Sequence, residues 1–352
     1  MVRKLAWLTG FVAAAATAQT VLTGNLNVPR AGCTATVLAD GRVLITGGYA
    51  TQPLASTELF DPARGVFTIG PDMQSARVGH TATALPEGEV LIVGGSAEIF
   101  DGHAFTTVAG MNTPRTSHSA TLLRDGTVLL AGGVSQGGTV VSDAELFDPA
   151  TRSFVRVGSL SAPRFGHGAA LLPDGRVLIA GGYAAIDLHG FALTAEIYDP
   201  QTKTFSPTNT PIGAHLDDVI PLLDGRVLLV GIDDPPLVNS ISELFDPRTD
   251  SFEPTAPVWS ARIGARAIVL GDGRVLVAGG GSFLATNDLE IFDPAEHTYR
   301  SAGALQVARM QHAAVLLRDE RSLFIGGEDQ ARVMQTGESF GAASSPRRRA
   351  VP

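Results

Sequence analysis

The apolar residues of this chain fall into short runs, not helical stripes. VLIT at 43–46, VLLA at 128–131, VLIA at 177–180 and VLVA at 275–278 are almost wholly apolar, as expected of strands buried on both faces. Each run is preceded by a small apolar segment and an acidic-glycine turn, a strong hairpin signal between two strands. Each is followed by a glycine pair, a variable segment, and an alternating stretch such as AEIYDP (195–200) that stops at Asp-Pro. A polar stretch with one aromatic, such as TKTFSPTN (202–209), completes the unit. Four strands joined by turns, with no 3.6-residue period, predict a four-stranded antiparallel blade.

The unit recurs seven times. The first glycine of the pair stands at 47, 94, 132, 181, 279 and 326, and Gly231 marks a unit whose second glycine is missing. Seven residues before each stands an acidic residue: Asp40, Glu87, Asp125, Asp174, Asp224, Asp272 and Asp319. Intervals of 47, 38, 49, 50, 48 and 47 residues are those of a repeat architecture. The glycines remove side chains where blades crowd and permit positive φ at a strand end. The prediction is an all-β, seven-bladed β-propeller over residues 19–340, followed by a basic tail at 341–352.

The chain resembles the kelch-repeat family of β-propellers. The resemblance lies in the glycine pairs, the Glu-Leu-Phe-Asp-Pro segments at 58–62, 145–149 and 243–247, and the aromatic of the last strand. It spans nearly all of the chain after residue 18. One departure is clear: the family usually places tryptophan in the last strand, whereas here stand Phe67, Phe105, Phe154, Phe205, Phe252 and Tyr299. The seventh unit stops before its fourth strand. Residues 19–30 align with 153–164, matching at Val21, Gly24, Leu26, Pro29 and Arg30. Residues 20–26 are therefore expected to supply the outer strand of the last blade and to close the ring.

Arg3 and Lys4, an apolar run at 5–16 and the small residues Ala16 and Ala18 form a secretory signal, with Gln19 the expected first mature residue. The product is expected to be secreted, periplasmic or at the cell surface, without membrane insertion. Removing residues 1–18 takes two of the 26 basic residues and none of the 35 acidic ones, leaving a charge of −11 that repels nucleic acid. Cys33 is the one cysteine, so no intrachain disulfide forms. No cofactor is implied, and a monomer is expected.

Ten residues before each acidic turn residue stands an arginine: Arg30, Arg77, Arg115, Arg164, Arg262 and Arg309, with Ala214 in the fifth unit. Two readings are open. The arginines ring one mouth of the channel and bind carboxylates or phosphates, or they pair with the third-strand glutamates Glu58, Glu98, Glu145, Glu196, Glu243, Glu290 and Glu338. In some kelch propellers this arginine takes acidic peptide, so the resemblance implies the first reading. Three residues after the arginines come His80, His118, His167 and His312, with Cys33, Asp217 and Ala265 in the same column. Sheets stand roughly 10 Å apart and zinc needs ligands at roughly 2 Å. Buried histidines bonded to backbone are therefore expected, not a metal site.

Unit five departs furthest. Asp217 replaces the histidine, and Asp218, Asp233 and Asp234 add carboxylates, with His215 beside them. These residues could do acid/base work or bind a cation, or they are solvated acids on a degenerate repeat. Unit four has the longest loop between second and third strands; its Tyr183 and His189 could stack on or bond to a ligand, and a packed loop is the simpler account. The sequence thus favours a module whose loop face binds a protein or a glycan, acidic ligands included, over an enzyme. The enzyme alternative is a carbohydrate-active one resembling kelch-type sugar mutarotases or epimerases. A copper radical oxidase fits less well: that resemblance implies a cysteine cross-linked to tyrosine, and here Cys33 sits in the histidine column and Tyr49, Tyr183, Tyr198 and Tyr299 mostly occupy repeat positions.

Overall fold

The apolar runs form the second strand of each of seven four-stranded antiparallel sheets. A computed structural model describes residues 19–186, 190–210, 215–232, 239–260, 262–282 and 284–341. The proposed signal segment, the tail from 342 onward, His189, Asp233 and Asp234 lie outside the described residues. No helix occurs among the described residues, and none there is long and apolar enough to cross a membrane.

Blade 1 shows the common plan. Thr34–Val37, Val43–Thr46, Thr57–Asp61 and Val66–Ile69 pair in sequence order. The first strands of all seven blades contact one another in a closed circle around the axis. The second strand divides its side chains between the two seams. Val43 and Ile45 pack with Leu323 and Ile325 of blade 7, while Leu44 packs with Val90 and Ile92 of blade 2. The same alternation gives one apolar cluster for each of the seven seams. Each fully buried aliphatic side chain stabilises by about 1.5–3 kcal/mol, so a ring of small cores replaces one large one. At the outer edge the third-strand aromatic meets the aromatic of the fourth, as in Phe60–Phe67 and Phe147–Phe154, with centroids 4.7 and 4.9 Å apart. These pairs occupy the place where the resemblance led to tryptophan.

The ring closes as the alignment of its two ends predicts. Gln19–Asn25 pairs antiparallel with Thr336–Gly341, setting Thr20 opposite Phe340 and Leu22 opposite Glu338. The strand begins one residue earlier than expected. Leu26 follows it into the cluster between blades 7 and 1, where it joins Phe67 and Leu323. Gly24 N donates to Gly65 O of blade 1 at 2.8 Å, so the closing strand is tied on both sides.

Blade 5 differs where its glycine pair fails. Gly231 and Ile232 do not adopt positive φ, and its first two strands run on as His215–Pro221 and Val227–Ile232. Leu216 pairs with Gly231 and Asp218 with Val230, so Asp217 is the extra residue of a β-bulge. In blade 1 the glycines turn the chain out of the ladder at this level, with Gly47 at φ 55° and Gly48 at φ 83°.

Deleting residues 19–28 from a chain that begins at Gln19 should remove at least about 3 kcal/mol of ladder and packing, lowering the melting temperature by roughly 5–10 °C. A thermal melt of the truncated protein identical to that of the full one would show that the closing strand contributes nothing.

Candidate functional site

The arginine column lies inside the blades. Arg30, Arg115, Arg164 and Arg309 are fully buried, and Arg77 and Arg262 are no more than 3% exposed. Arg30 Nη2 meets Glu58 Oε1 at 3.1 Å, while Nη1 donates to Gly47 O and Ser56 O. Arg115 pairs with Glu145 at 2.9 Å and with Asp143 at 2.8 Å. Arg164–Glu196 and Arg309–Glu338 pair at 3.1 and 2.6 Å, and Arg77 and Arg262 meet Glu98 and Glu290. The glutamate has further donors: Glu58 accepts from the backbone N–H groups of Asn27 and Val28, in the link from the last blade to the first. Dehydration presses Arg77, Arg164 and Arg309 toward lower pKa, and the neighbouring glutamate opposes it. The geometry is that of the Arg-Glu pairing reading, with no ring of free guanidinium groups at a mouth.

The same arginine joins neighbouring blades through its backbone. Gly48 N donates to Arg77 O at 2.9 Å, Gly133 N to Arg164 O at 2.7 Å, and Gly327 N to Arg30 O at 2.9 Å across the closure. A Cβ on Gly47 would lie 2.8 Å from Arg77 O and 2.8 Å from His80 Cε1. The glycine pair thus serves two needs: a left-handed backbone and room for the next blade.

The histidines point the other way, into the preceding blade. His80 Nε2 hydrogen-bonds with Thr46 Oγ1 (2.9 Å) and Thr34 Oγ1 (3.2 Å) of blade 1. His118 bonds with Thr81 of blade 2 at 3.0 Å, and His167 with Ser119 of blade 3 at 2.9 Å. Hydroxyls join the expected backbone as partners: a Ser or Thr of the preceding blade stands at that height, and the backbone of Thr46 and of Ala131 also acts on His80 and His167. Burial lowers His80 to about 4 and His118 and His167 to about 3, with the neighbouring arginine adding to the effect. Among the described residues, no group of three or more His, Cys, Asp or Glu could hold a metal ion. Cys33 packs in the apolar cluster with Val43 and Ile45, its thiol raised to about 11 by burial.

Of the unit-five group, His215 and Asp217 lie on the extended inner strand, and their side chains are outside the described residues. The Asp218 carboxylate accepts a hydrogen bond from Ala267 N of blade 6 at 2.9 Å, tying two blades. Tyr183 lies between Phe165 and Phe191, with ring centroids 5.4 and 5.3 Å away, so the long loop is packed through its tyrosine. On the opposite face, the turn aspartates Asp224 and Asp319 pair with Arg226 and Arg321 two positions on, and these arginines reach Pro294 O and Pro62 O of the next blade. A groove of about 590 Å³ there is lined by Asp224, Arg226, Asp272 and Arg274, whose charges are paired within its walls.

One exposed departure escaped the sequence reading. Three residues before each arginine stands the residue whose N–H caps the glutamate: Asn27, Gln74, Asn112, Ser161 and Gln306. In blade 6 that residue is Trp259, which keeps the N–H bond to Glu290 at 3.1 Å yet leaves its side chain 68% exposed. In the same blade, Leu284 is 71% exposed, beside the bridges that pair Gly281 with Ile263 and with Ala285. The column of polar residues was visible at fixed offset and would have identified the tryptophan as an outlier.

Two outcomes follow from these pairs. Arg164→Ala, which strands Glu196, should cost about 3–5 kcal/mol in a denaturant titration. The histidines predict an acid limb. An unfolded imidazole protonates near pH 6.5, whereas His80 takes a proton only near 4 and His118 and His167 near 3. Stability is therefore complete above pH 6.5 and falls as the pH drops from there toward 4, each histidine contributing up to about 1.4 kcal/mol per pH unit. His118→Gln should flatten that slope by one such share; an unchanged slope would remove His118 from the account.

Residues 29–74, which span blade 1, match the Kelch motif. No curated protein matches the chain by sequence. Among solved structures, a fungal alcohol oxidase of the AA5 family in complex with copper is similar at a TM-score of 0.75 and 17% identity, covering 93% of this chain and 76% of that one. The structure of YjhT is similar at a TM-score of 0.59 and 16% identity, covering 89% and 95%. Both likenesses are of fold. The chain is thus a seven-bladed β-propeller whose first blade matches the Kelch motif, with the same glycine, arginine and glutamate columns recurring in most of the blades that follow.

Proposed function

We propose that this propeller is an exported, monomeric binding module that takes a protein or a glycan on its loop face, with blade 6 at the centre of the contact. The observation behind this reading is Trp259. It breaks a column of polar residues, it is held in place by its own backbone bond to Glu290, and its ring is exposed. A solvated indole carried on a hydrogen-bonded stretch of backbone offers a flat apolar face to a sugar ring or an anchor for a peptide side chain. Leu284 and Ile263 add apolar surface on the same blade. The repeated arginines and histidines, by contrast, already have partners inside the ring or are buried. Residues 1–18 support export by their charged start and apolar run.

A carboxylate enzyme acting on carbohydrate is the second reading. The bulge at Asp217, beside Asp218, favours it, since bulges re-aim side chains at functional sites.

An array of glycans and peptides probed with the mature chain separates the two. For the module, Trp259→Ala should weaken binding at least about tenfold with an unchanged melting temperature, a loss typical of an interface anchor. Retained binding in that variant would rule out blade 6 as the contact. Loss of a measurable turnover in a folded protein carrying Asp217→Asn and Asp218→Asn would instead establish the enzyme.

A further inference from the structure

The seams between blades are not alike at the axial channel. Between blades 1 and 2, 2 and 3, and 3 and 4, a hydroxyl at the start of one inner strand meets the histidine of the next blade. Between blades 6 and 7 the hydroxyl is replaced by Arg266, the first residue of the inner strand Arg266–Val269, and the histidine is His312. His312 is completely buried, and neither ring nitrogen has a hydrogen-bond partner. Arg266 is half-buried. Its Nη1 donates to Ala265 O at 2.9 Å, and no carboxylate lies within ion-pair reach among the described residues. Arg266 holds the inner-strand position that Thr34, Thr81 and Ser119 hold in blades 1 to 3, and its strand packs against the inner strand of blade 7, Ala313–Leu316, which follows His312.

We propose that Arg266 and His312 form a carboxylate-binding site in the axial channel at the seam between blades 6 and 7. The Nε–Nη2 edge of the guanidinium is the side left free by Ala265 O, and it presents two parallel N–H groups matched to a carboxylate. One ring N–H of His312 donates to a remaining lone pair, giving the buried imidazole the oxygen partner that Thr and Ser give its counterparts. Burial and the neighbouring cations hold His312 neutral at pH 7. The site therefore offers one positive charge, which suits a monoanionic carboxylate better than a phosphate dianion. A buried polar ring without partners is costly, so occupation also relieves a defect of the seam. The carboxylate comes either from a small free acid or from an acidic side chain reaching in from a bound peptide. The site is separate from Trp259 and does not depend on the ligand of that surface.

The test is a titration of the ring-labelled protein followed by NMR of the histidine side chains. Sodium acetate, and an end-blocked tripeptide with one glutamate, are added against sodium chloride of equal ionic strength. The expected result is a saturable shift of the His312 resonances, with those of His118 unmoved. The apparent affinity should fall at least tenfold in Arg266→Gln, partly recover in Arg266→Lys, and be unchanged in Trp259→Ala. Tighter binding of the tripeptide than of acetate identifies the side-chain source, and the reverse order identifies the free acid. If neither carboxylate moves His312 in the wild-type protein, or if chloride moves it equally, the proposal fails, whatever the folding of the variants. An equal response in a folded Arg266→Gln protein overturns it as well.

Discussion

The ring depends on one buried constellation: an arginine whose guanidinium is enclosed by the glutamate and carbonyls of its own blade, and whose carbonyl accepts the glycine N–H of the blade before. In blade 1, Arg30 bonds to Glu58, Gly47 O and Ser56 O through its side chain and to Gly327 of blade 7 through its backbone. Burying both charges is expensive, and only the density of bonds around them makes it tolerable. That demand fixes the neighbours. The glutamate must stand on the third strand, the link must offer N–H groups, and the glycines must have no Cβ, because at Gly326 one would lie 2.2 Å from Arg30 O. A pairing this exacting specifies position as much as it stabilises.

The fold was legible because its determinants are periodic. Glycine pairs, acidic turns and apolar runs repeat in phase, and the closing strand could be recognised by comparing one end of the chain with a complete unit. The fate of the columns was less legible. A sequence shows that six arginines and seven glutamates recur together, but a free ring of guanidinium groups and a ring of buried pairs have the same spacing. Which one forms depends on where the link between blades runs, and that is set by the third dimension. The histidines show the same limit. Their burial was anticipated, yet their partners come from the preceding blade, some 34 to 48 residues away. Asp218 was read as a candidate acid, and the carboxylate lies against Ala267 N across a seam.

Deviation from the repeat turns out to have several physical meanings. In blade 5, replacing the second glycine with Ile232 lengthens a hairpin and introduces a bulge. In blade 6, replacing a polar link residue with Trp259 leaves the scaffold bond intact and changes only what the surface displays. Replacing a hydroxyl with Arg266 alters the wall of the channel and leaves His312 without its usual partner. The last two fall in one blade, so chemistry that the repeat cannot provide gathers on a single sector of a nearly uniform ring.

The closing strand has a consequence for how the molecule is made. Gln19–Asn25 emerges from the ribosome before any other strand described, yet its pairing partner Thr336–Gly341 is the last of those strands to emerge. The earliest segment must therefore wait, unpaired, through the synthesis of six blades. A partial chain has two raw sheet edges and no circle, so the stability that comes from closure cannot accrue blade by blade during translation. A ring that cannot lock before its last strand arrives stays open to unfolding throughout its synthesis.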